Sequence, residues 1–164
     1  MKKILFVCTG NTCRSSMAEG LFNFLISKNP GLSDKFQAIS AGIAATEGEP
    51  ASSNAKNVLF DTWGIDISSH SAKNVNANII KDAFLILTMT RAHKERIIDK
   101  YPFAGSKTHV LKEFIKNNGA SKLVKSSFDI SDPFGGSYKI YKSCSLEIKE
   151  VMDKLIAKLE KEFL

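Results

Sequence analysis

Short apolar runs alternate with longer segments of mixed polarity along the chain, and the short runs predict strands. Four segments fit a strand buried on both faces of a sheet, with a short apolar stretch in each: residues 3–8, 36–40, 84–87 and 108–111. The first run ends abruptly in the polar residues 9–12, which predicts a tight loop directly after the first strand.

Helical periodicity and capping residues predict helices between and after the strands: residues 15–28, 50–63, 91–101, a short segment ending at 116, and 138–163. Ser15 or Ser16 caps the first helix, Pro50 opens the second and Gly64 ends it. Apolar residues of the first helix recur at helical spacing: Met17, Leu21, Phe24 and Leu25. Those of the last helix form one stripe: Ile140, Cys144, Ile148, Val151, Met152, Leu155, Ile156 and Leu159.

Strands that alternate with helices favour a parallel sheet, because parallel neighbours need crossover connections and the connections here are helical. We therefore predict an α/β fold. It consists of a single doubly wound domain, residues 1–164, with a mostly parallel four-stranded sheet and helices on both faces.

The composition is that of an ordinary globular protein, with 43% hydrophobic and 24% charged residues, and it excludes disordered and collagen-like chains. The net charge is +6, from 23 Lys and Arg against 17 Asp and Glu, which admits an anionic partner. The most Lys-rich segment, residues 107–125, contains no aromatic residue apart from Phe114, so it lacks the stacking platform of single-strand binders. We interpret this segment as a solvated face and expect no nucleic-acid partner.

No apolar run reaches the length of a membrane span or of a signal-peptide core, so we expect no membrane partner and a cytoplasmic location. Three cysteines cannot form a complete disulfide framework, which favours free, catalytic or buried thiols. His70, His93 and His109 show no spacing with cysteines or carboxylates that indicates a metal site. We expect no metal or other cofactor, and a monomeric protein.

Reactive side chains cluster in the loop after the first strand, which reads Cys8-Thr9-Gly10-Asn11-Thr12-Cys13-Arg14-Ser15. Ligands of open α/β sheets bind at the carboxyl ends of strands, where this loop is expected. Its backbone N–H groups and the N-terminus of the next helix suit an oxyanion such as phosphate. The helix dipole and Arg14 favour the thiolate of Cys8, and the Arg14 guanidinium suits two phosphate oxygens at once. These residues predict a cysteine nucleophile beneath a bound phosphorus atom.

A phosphocysteine route also needs a proton donor for the leaving group, and a carboxylic acid that later activates water meets this need. Asp132 is the first candidate because it lies in a rigid turn, residues 131–136, that contains Pro and Gly. Asp129 is the competing candidate, since the sequence does not give the distance from Cys8 to either carboxyl group.

Segments 7–15 and 132–136 together resemble the low-molecular-weight protein tyrosine phosphatase family, and in motif they are most similar to its bacterial protein-arginine-phosphatase members. Segments 40–42, 64–66 and 87–89 also follow the order of that family, so the resemblance covers essentially the whole chain.

The resemblance implies a metal-free, two-step hydrolysis of phosphorylated proteins. In it, Cys8 attacks phosphorus, Arg14 holds the phosphate oxygens, and Asp132 acts first as acid and then as base. The implied phosphate-binding residues are Thr9, Gly10, Asn11, Thr12, Cys13, Arg14 and Ser15. Three further roles are implied: Ser15 bonds the Cys8 sulfur, and Ser40 and His70 hold Asn11 so that it braces the loop.

Thr12 and Phe134 are the candidate specificity residues. Tyrosine-specific members of the family commonly carry Ile at the position of Thr12, an apolar wall for a phenyl ring, whereas Thr is similar to the members that act on phosphoarginine. A hydroxyl there accepts a guanidinium N–H that Ile leaves unpaired. Phe134 is expected to form one wall of the substrate cleft. We favour phosphoarginine as the substrate and keep phosphotyrosine as the alternative.

Two rival functions follow from related chemistry. The thioredoxin-coupled arsenate reductases relay electrons through further cysteines after the third strand, and residues 89–101 contain none. A non-hydrolytic phosphocysteine carrier does not need Arg14 or Asp132, and this chain has both. Cys13 is either a spare loop cysteine or an oxidation partner for Cys8, whereas Cys144 is expected to be a small buried hydrophobe.

Overall fold

The computed structural model describes residues 1–116 and 128–164. Its sheet has four strands in the order β2-β1-β3-β4, all paired in parallel. Their bounds are β1 (Lys2–Cys8), β2 (Phe36–Gly42), β3 (Ala83–Thr88) and β4 (Thr108–Val110). The predicted α/β class with a parallel four-stranded sheet is confirmed, and each predicted strand differs from the observed one by no more than two residues at either end.

Seven α-helices lie in the described residues: α1 (Arg14–Ser27), α2 (Pro30–Ser33), α3 (Ser53–Trp63), α4 (Ala77–Asp82), α5 (Arg91–Lys100), α6 (Leu111–Phe114) and α7 (Tyr138–Phe163). A 3₁₀ helix, Pro102–Lys107, precedes β4. The helices α2 and α4 were not predicted, because four and six residues are too few to show a helical period.

Two predicted helix starts are wrong. The Ser52 side chain accepts from the backbone N–H of Ala55 and caps α3, so that helix begins after Pro50 rather than at it. Helix α1 begins at Arg14, with no side-chain cap, and therefore contains Ser15 and Ser16. The Ser15 hydroxyl contacts the Cys8 sulfur instead of capping the helix.

Strand β1 separates two hydrophobic cores, which explains its continuous apolar sequence. Ile4, Phe6 and Cys8 face the core shared with α1, α3 and α7. Leu5 and Val7 face the core on the other side of the sheet, which includes residues of α4 and α5. With both faces covered, the carboxyl ends of the strands remain as the place for a polar site.

The predicted apolar stripes of α1 and α7 are largely buried, with differences at four positions. In α1, Phe24 and Leu25 are only partly buried and Phe22 takes the core position, because the helix packs against both the sheet and α7. In α7, Ile140 is exposed beside the turn at Gly136, and Ile156 is partly buried. Tyr141 occupies the buried position at the start of that stripe.

The Lys-rich segment is not a uniformly solvated face in its described part. Lys107 donates to the carbonyl oxygens of Lys81 and Ala83, and Lys112 forms an ion pair with Glu147 at 2.6 Å. These lysines are held against neighbouring elements because carbonyl and carboxylate acceptors lie within their reach. Residues 117–125 of the same segment lie outside the described residues. No helix in the described part of the chain is long and apolar enough to cross a membrane.

Candidate active site

A cleft lies where β1 ends and α1 begins, at the carboxyl edge of the sheet. Nine residues line this cleft of about 230 Å³: Cys8, Thr9, Gly10, Thr12, Cys13, Arg14, Glu49, Asp132 and Phe134. Eight of them were selected from the sequence. Glu49 was not, because the loop between β2 and α3 that carries it contains no recognisable motif.

Cys8 is the last residue of β1, and its side chain is 3% exposed where it borders the cleft. Its sulfur lies 2.8 Å from the Ser15 hydroxyl and accepts the backbone N–H of Asn11 at 3.2 Å. Both neighbouring groups can donate a hydrogen bond, and donors of this kind stabilise a sulfur that carries negative charge.

Asn11 fixes the shape of the loop between β1 and α1. Its backbone lies in the left-handed region, with φ of 57°, which Asn tolerates better than most residues. Its amide donates to the hydroxyls of Ser15 at 2.8 Å and Ser40 at 2.9 Å, and accepts the Lys73 backbone N–H at 3.0 Å. The His70 ring lies 2.6 Å from the Asn11 carbonyl oxygen. These contacts join the loop to β2 and to the segment before α4.

Glu19 of α1 connects the two side chains that hold Asn11. Its carboxylate accepts the Ser40 hydroxyl and lies 4.0 Å from Nδ1 of His70. No sequence motif indicates this role, since Glu19 lies within a predicted helix and outside the loop motif.

The Arg14 guanidinium connects the loop to the far end of the chain. It is 5% exposed, donates to the carbonyl oxygen of Ile130 at 3.1 Å, and lies 3.4 Å from the Asp132 carboxylate. Asp132 also accepts the backbone N–H of Phe134 at 3.1 Å. Asp129 takes a different position: it accepts the N–H of Arg91 at 2.9 Å, at the first turn of α5, and does not line the cleft.

His93 of α5 contacts the loop between β1 and α1, a role for which the sequence carried no signal. Its Nε2 lies 2.9 Å from the Thr9 hydroxyl, and its Nδ1 is buried without a hydrogen-bond partner. Burial, reinforced by the positive charge of Arg14, lowers the pKa of His93 to about 4. The ring is therefore neutral near pH 7.

The other two cysteines are also buried. The Cys13 sulfur lies 3.1 Å from the Tyr141 hydroxyl of α7 and 3.6 Å from that of Ser52. Burial, followed by the hydrogen bond to Cys13, raises the pKa of Tyr141 to about 12. Cys144 is buried in the α7 stripe as predicted, and burial raises the pKa of its thiol to about 12. Among the described residues, no group of three His, Cys, Asp or Glu side chains is arranged to hold a metal ion.

Comparison with known proteins matches residues 3–163 to the family model described as low molecular weight phosphotyrosine protein phosphatase. The chain is 39% identical over 160 residues to a protein-arginine-phosphatase of Geobacillus stearothermophilus, covering 98% of this chain and 97% of that protein. The crystal structure of a low molecular weight protein tyrosine phosphatase from T. tengcongensis is similar, with a TM-score of 0.85 and 42% identity over 97% of this chain and all of that one.

A structure of the YwlE arginine phosphatase is also similar, with a TM-score of 0.85 and 32% identity, over 97% of this chain and 96% of that one. In that structure the active-site cysteine is replaced by a serine, and the serine is phosphorylated.

Proposed function

The chain belongs to the low molecular weight phosphotyrosine protein phosphatase family, and from this premise we propose that it hydrolyses phosphoarginine side chains of proteins through a phosphocysteine on Cys8. Membership makes it a protein phosphatase. The choice of phosphoarginine and the role of each residue are the proposed part.

In the first step the Cys8 thiolate attacks phosphorus, and the bond from phosphorus to the arginine nitrogen breaks. Asp132 gives its proton to the departing guanidine nitrogen, because the deprotonated guanidine is a poor leaving group near neutral pH. Arg14 and the loop N–H groups hold the three phosphoryl oxygens and stabilise their charge.

In the second step Asp132 takes a proton from water while the water oxygen attacks phosphorus. The bond from sulfur to phosphorus breaks, and inorganic phosphate and the Cys8 thiolate are released. The Ser15 hydroxyl, 2.8 Å from the sulfur, donates to the departing thiolate.

One observation carries this proposal: Cys8, Arg14 and Asp132 line a single cleft, although 124 positions separate the first from the last. The phosphorylated serine at the active site of the YwlE arginine phosphatase supports a covalent intermediate on Cys8. Two observations support arginine: Thr12 lines the cleft, and the relative from Geobacillus stearothermophilus is named a protein-arginine-phosphatase.

Phosphotyrosine is the second candidate substrate. Phe134 is 80% exposed at the rim of the cleft, and an exposed ring stacks on a phenyl group as well as on a guanidinium. The relative from T. tengcongensis is named a tyrosine phosphatase.

We propose the cytoplasm as the setting of the reaction, because a reducing compartment keeps thiols such as Cys8 free.

Steady-state hydrolysis of a phosphoarginine peptide and a phosphotyrosine peptide tests the substrate. The native protein is expected to prefer phosphoarginine, and Thr12→Ile to lower the ratio of the two kcat/KM values about 10-fold, because a guanidinium N–H loses its acceptor. Thr12→Val has nearly the shape of Thr without the hydroxyl, so it separates the lost hydrogen bond from added bulk.

Inorganic phosphate is expected to inhibit both variants competitively, with the same inhibition constant as for the native protein. This result would show that the phosphate-binding loop is intact. If the native protein prefers phosphotyrosine and neither variant moves the ratio, phosphoarginine is the wrong substrate and the phosphatase activity still stands.

A further inference from the structure

Glu49 brings a carboxylate to a cleft that is otherwise suited to an anion. It lines the cleft together with Cys8 and Arg14. A phosphate dianion in this cleft is repelled by a nearby carboxylate, unless a positive charge lies between the two groups. Asp132, the other carboxylate of the cleft, already lies 3.4 Å from the Arg14 guanidinium. In the described part of the chain, the Glu49 carboxylate has no ion pair and no hydrogen bond.

The backbone around Glu49 is fixed on the Asn11 side of the cleft. The backbone N–H of Gly48, whose φ is 83°, donates to the Ala72 carbonyl oxygen at 2.9 Å. The backbone N–H of Ala72 donates to the Glu49 carbonyl oxygen at 2.8 Å. Ala72 lies between His70 and Lys73, and both of those residues bond Asn11. The position of Glu49 is therefore coupled to the loop that binds phosphate.

The same segment is also fixed at Thr12. Ser52 lies three positions after Glu49, and its backbone N–H donates to the Thr12 carbonyl oxygen at 2.9 Å. Glu49 and Thr12 thus belong to two connected segments and line one cleft. The proposed specificity residue and an unpaired carboxylate face the same substrate.

We propose that Glu49 is a specificity-determining residue that binds the guanidinium of phosphoarginine, a role that rests on the function proposed above. With phosphate held by the loop and Arg14, the guanidinium extends toward the cleft mouth, and its positive charge lies between the phosphate and Glu49. The carboxylate accepts guanidinium N–H groups in the geometry that favours such pairs.

Glu49 also selects against phosphotyrosine. A phenyl ring has no N–H donor and no positive charge, so it leaves the carboxylate unpaired and facing a dianion. One residue therefore raises the affinity for one substrate and lowers it for the other. Glu49 and Thr12 both favour phosphoarginine over phosphotyrosine, Glu49 by its charge and Thr12 by its hydroxyl acceptor.

Glu49→Gln and the matched control Glu47→Gln test this role. Glu47 lies on the same loop and accepts the backbone N–H of Asn74 at 2.7 Å, a bond that Gln preserves, and it does not line the cleft. Both variants remove one negative charge. Glu49→Gln is expected to lower kcat/KM for a phosphoarginine peptide about 10-fold, and to leave that for a phosphotyrosine peptide unchanged or up to about threefold higher. Glu47→Gln is expected to keep both values within about twofold.

Competitive inhibition by inorganic phosphate is the third measurement, and in Glu49→Gln it is expected to be unchanged or tighter. Four outcomes overturn the role of Glu49 without contradicting phosphatase activity. They are an equal loss of kcat/KM on both substrates, no loss of kcat/KM on phosphoarginine, weaker inhibition by phosphate, and the same effect in Glu47→Gln. A native protein active on phosphotyrosine alone overturns phosphoarginine and Glu49 together. A native protein active on neither substrate overturns the proposed function itself.

Discussion

Two carboxylates three positions apart, Asp129 and Asp132, have different neighbours. Asp132 borders the cleft beside Arg14, with a side chain that is 56% exposed. Asp129 accepts the backbone N–H of Arg91 at the start of α5, where a carboxylate complements the helix dipole. Geometry therefore favours Asp132 as the proton donor and gives Asp129 a role in holding α5.

Asp132→Ala is expected to lower kcat for a phosphoarginine or phosphotyrosine peptide about 10²- to 10⁴-fold, because the leaving group then departs without a proton. The loss is expected to be smaller with p-nitrophenyl phosphate, whose leaving group needs no proton. Asp129→Ala is the matched control. It is expected to retain kcat within about fivefold and to lose about 1 kcal/mol of unfolding free energy, because the Arg91 N–H at the start of α5 loses its acceptor. Similar kcat values in the two variants, measured by steady-state kinetics, would contradict this assignment.

At the scale of elements, long or strongly apolar segments were predictable, whereas two of the short helices were not. The bounds of α7 agree with its apolar stripe, and β1 follows from a run that is buried on both faces. Helices α2 and α4 escaped prediction because they are held by their neighbours rather than by a period of their own. The buried position of Tyr141 depends in the same way on a contact from another element, because its hydroxyl lies against the Cys13 sulfur.

Gly42, the last residue of β2, shows how closely two elements approach at the site. A Cβ there would overlap the Thr9 carbonyl oxygen and lie 3.0 Å from the Asn11 backbone nitrogen. Gly42 also donates to the Lys73 carbonyl oxygen at 2.8 Å, so its backbone cannot retreat without breaking that bond. Only glycine lets β2 and the loop after β1 pack this closely.

Gly42→Ala is therefore expected to displace the loop, to lower kcat/KM about 100-fold or more, and to reduce the free energy of unfolding by about 1 to 3 kcal/mol. Gly105→Ala is the control, because its Cβ meets open space and Gly105 does not have positive φ. That variant is expected to keep full activity and to change stability by less than about 1 kcal/mol. Kinetics and urea unfolding check both variants; an active Gly42→Ala enzyme would refute the close approach.

At the scale of the whole molecule, the candidate site brings together residues near the N-terminus and residues that precede the last helix. Cys8 ends β1 and Arg14 begins α1, whereas Asp132 and the Ile130 carbonyl oxygen precede α7. The sequence indicated Cys8, Arg14 and Asp132 from their local motifs, but their separation depends on how α7 packs on α1. Glu49 and His93 have no local motif at all, and only the folded chain brings them to the loop.

His93 couples the stability of the whole molecule to pH. It is 4% exposed, and burial is the largest cause that opposes its protonation; the positive charges of Arg14 and Arg96 also oppose protonation, whereas the carboxylates of Asp129 and Asp132 favour it. Its pKa is about 4 in the folded protein, against 6.5 for an ordinary histidine. Between these two values the unfolded chain binds a proton that the native protein does not, so stability falls as pH falls.

The full contribution of His93 is present above pH 6.5 and is lost as the pH falls toward 4, with an upper limit of about 3 kcal/mol. His93→Gln lacks this contribution. The protein with His93 is therefore expected to lose its stability advantage over the variant between about pH 6.5 and about pH 4.5. Urea unfolding of both proteins across this pH range measures the difference in the free energy of unfolding. From about pH 7 to about pH 8 the two curves of stability against pH are expected to run parallel, because His93 is then neutral in both the folded protein and the unfolded chain. Parallel curves throughout the acidic range would mean that the buried ring accepts its proton as readily in the folded protein as in the unfolded chain.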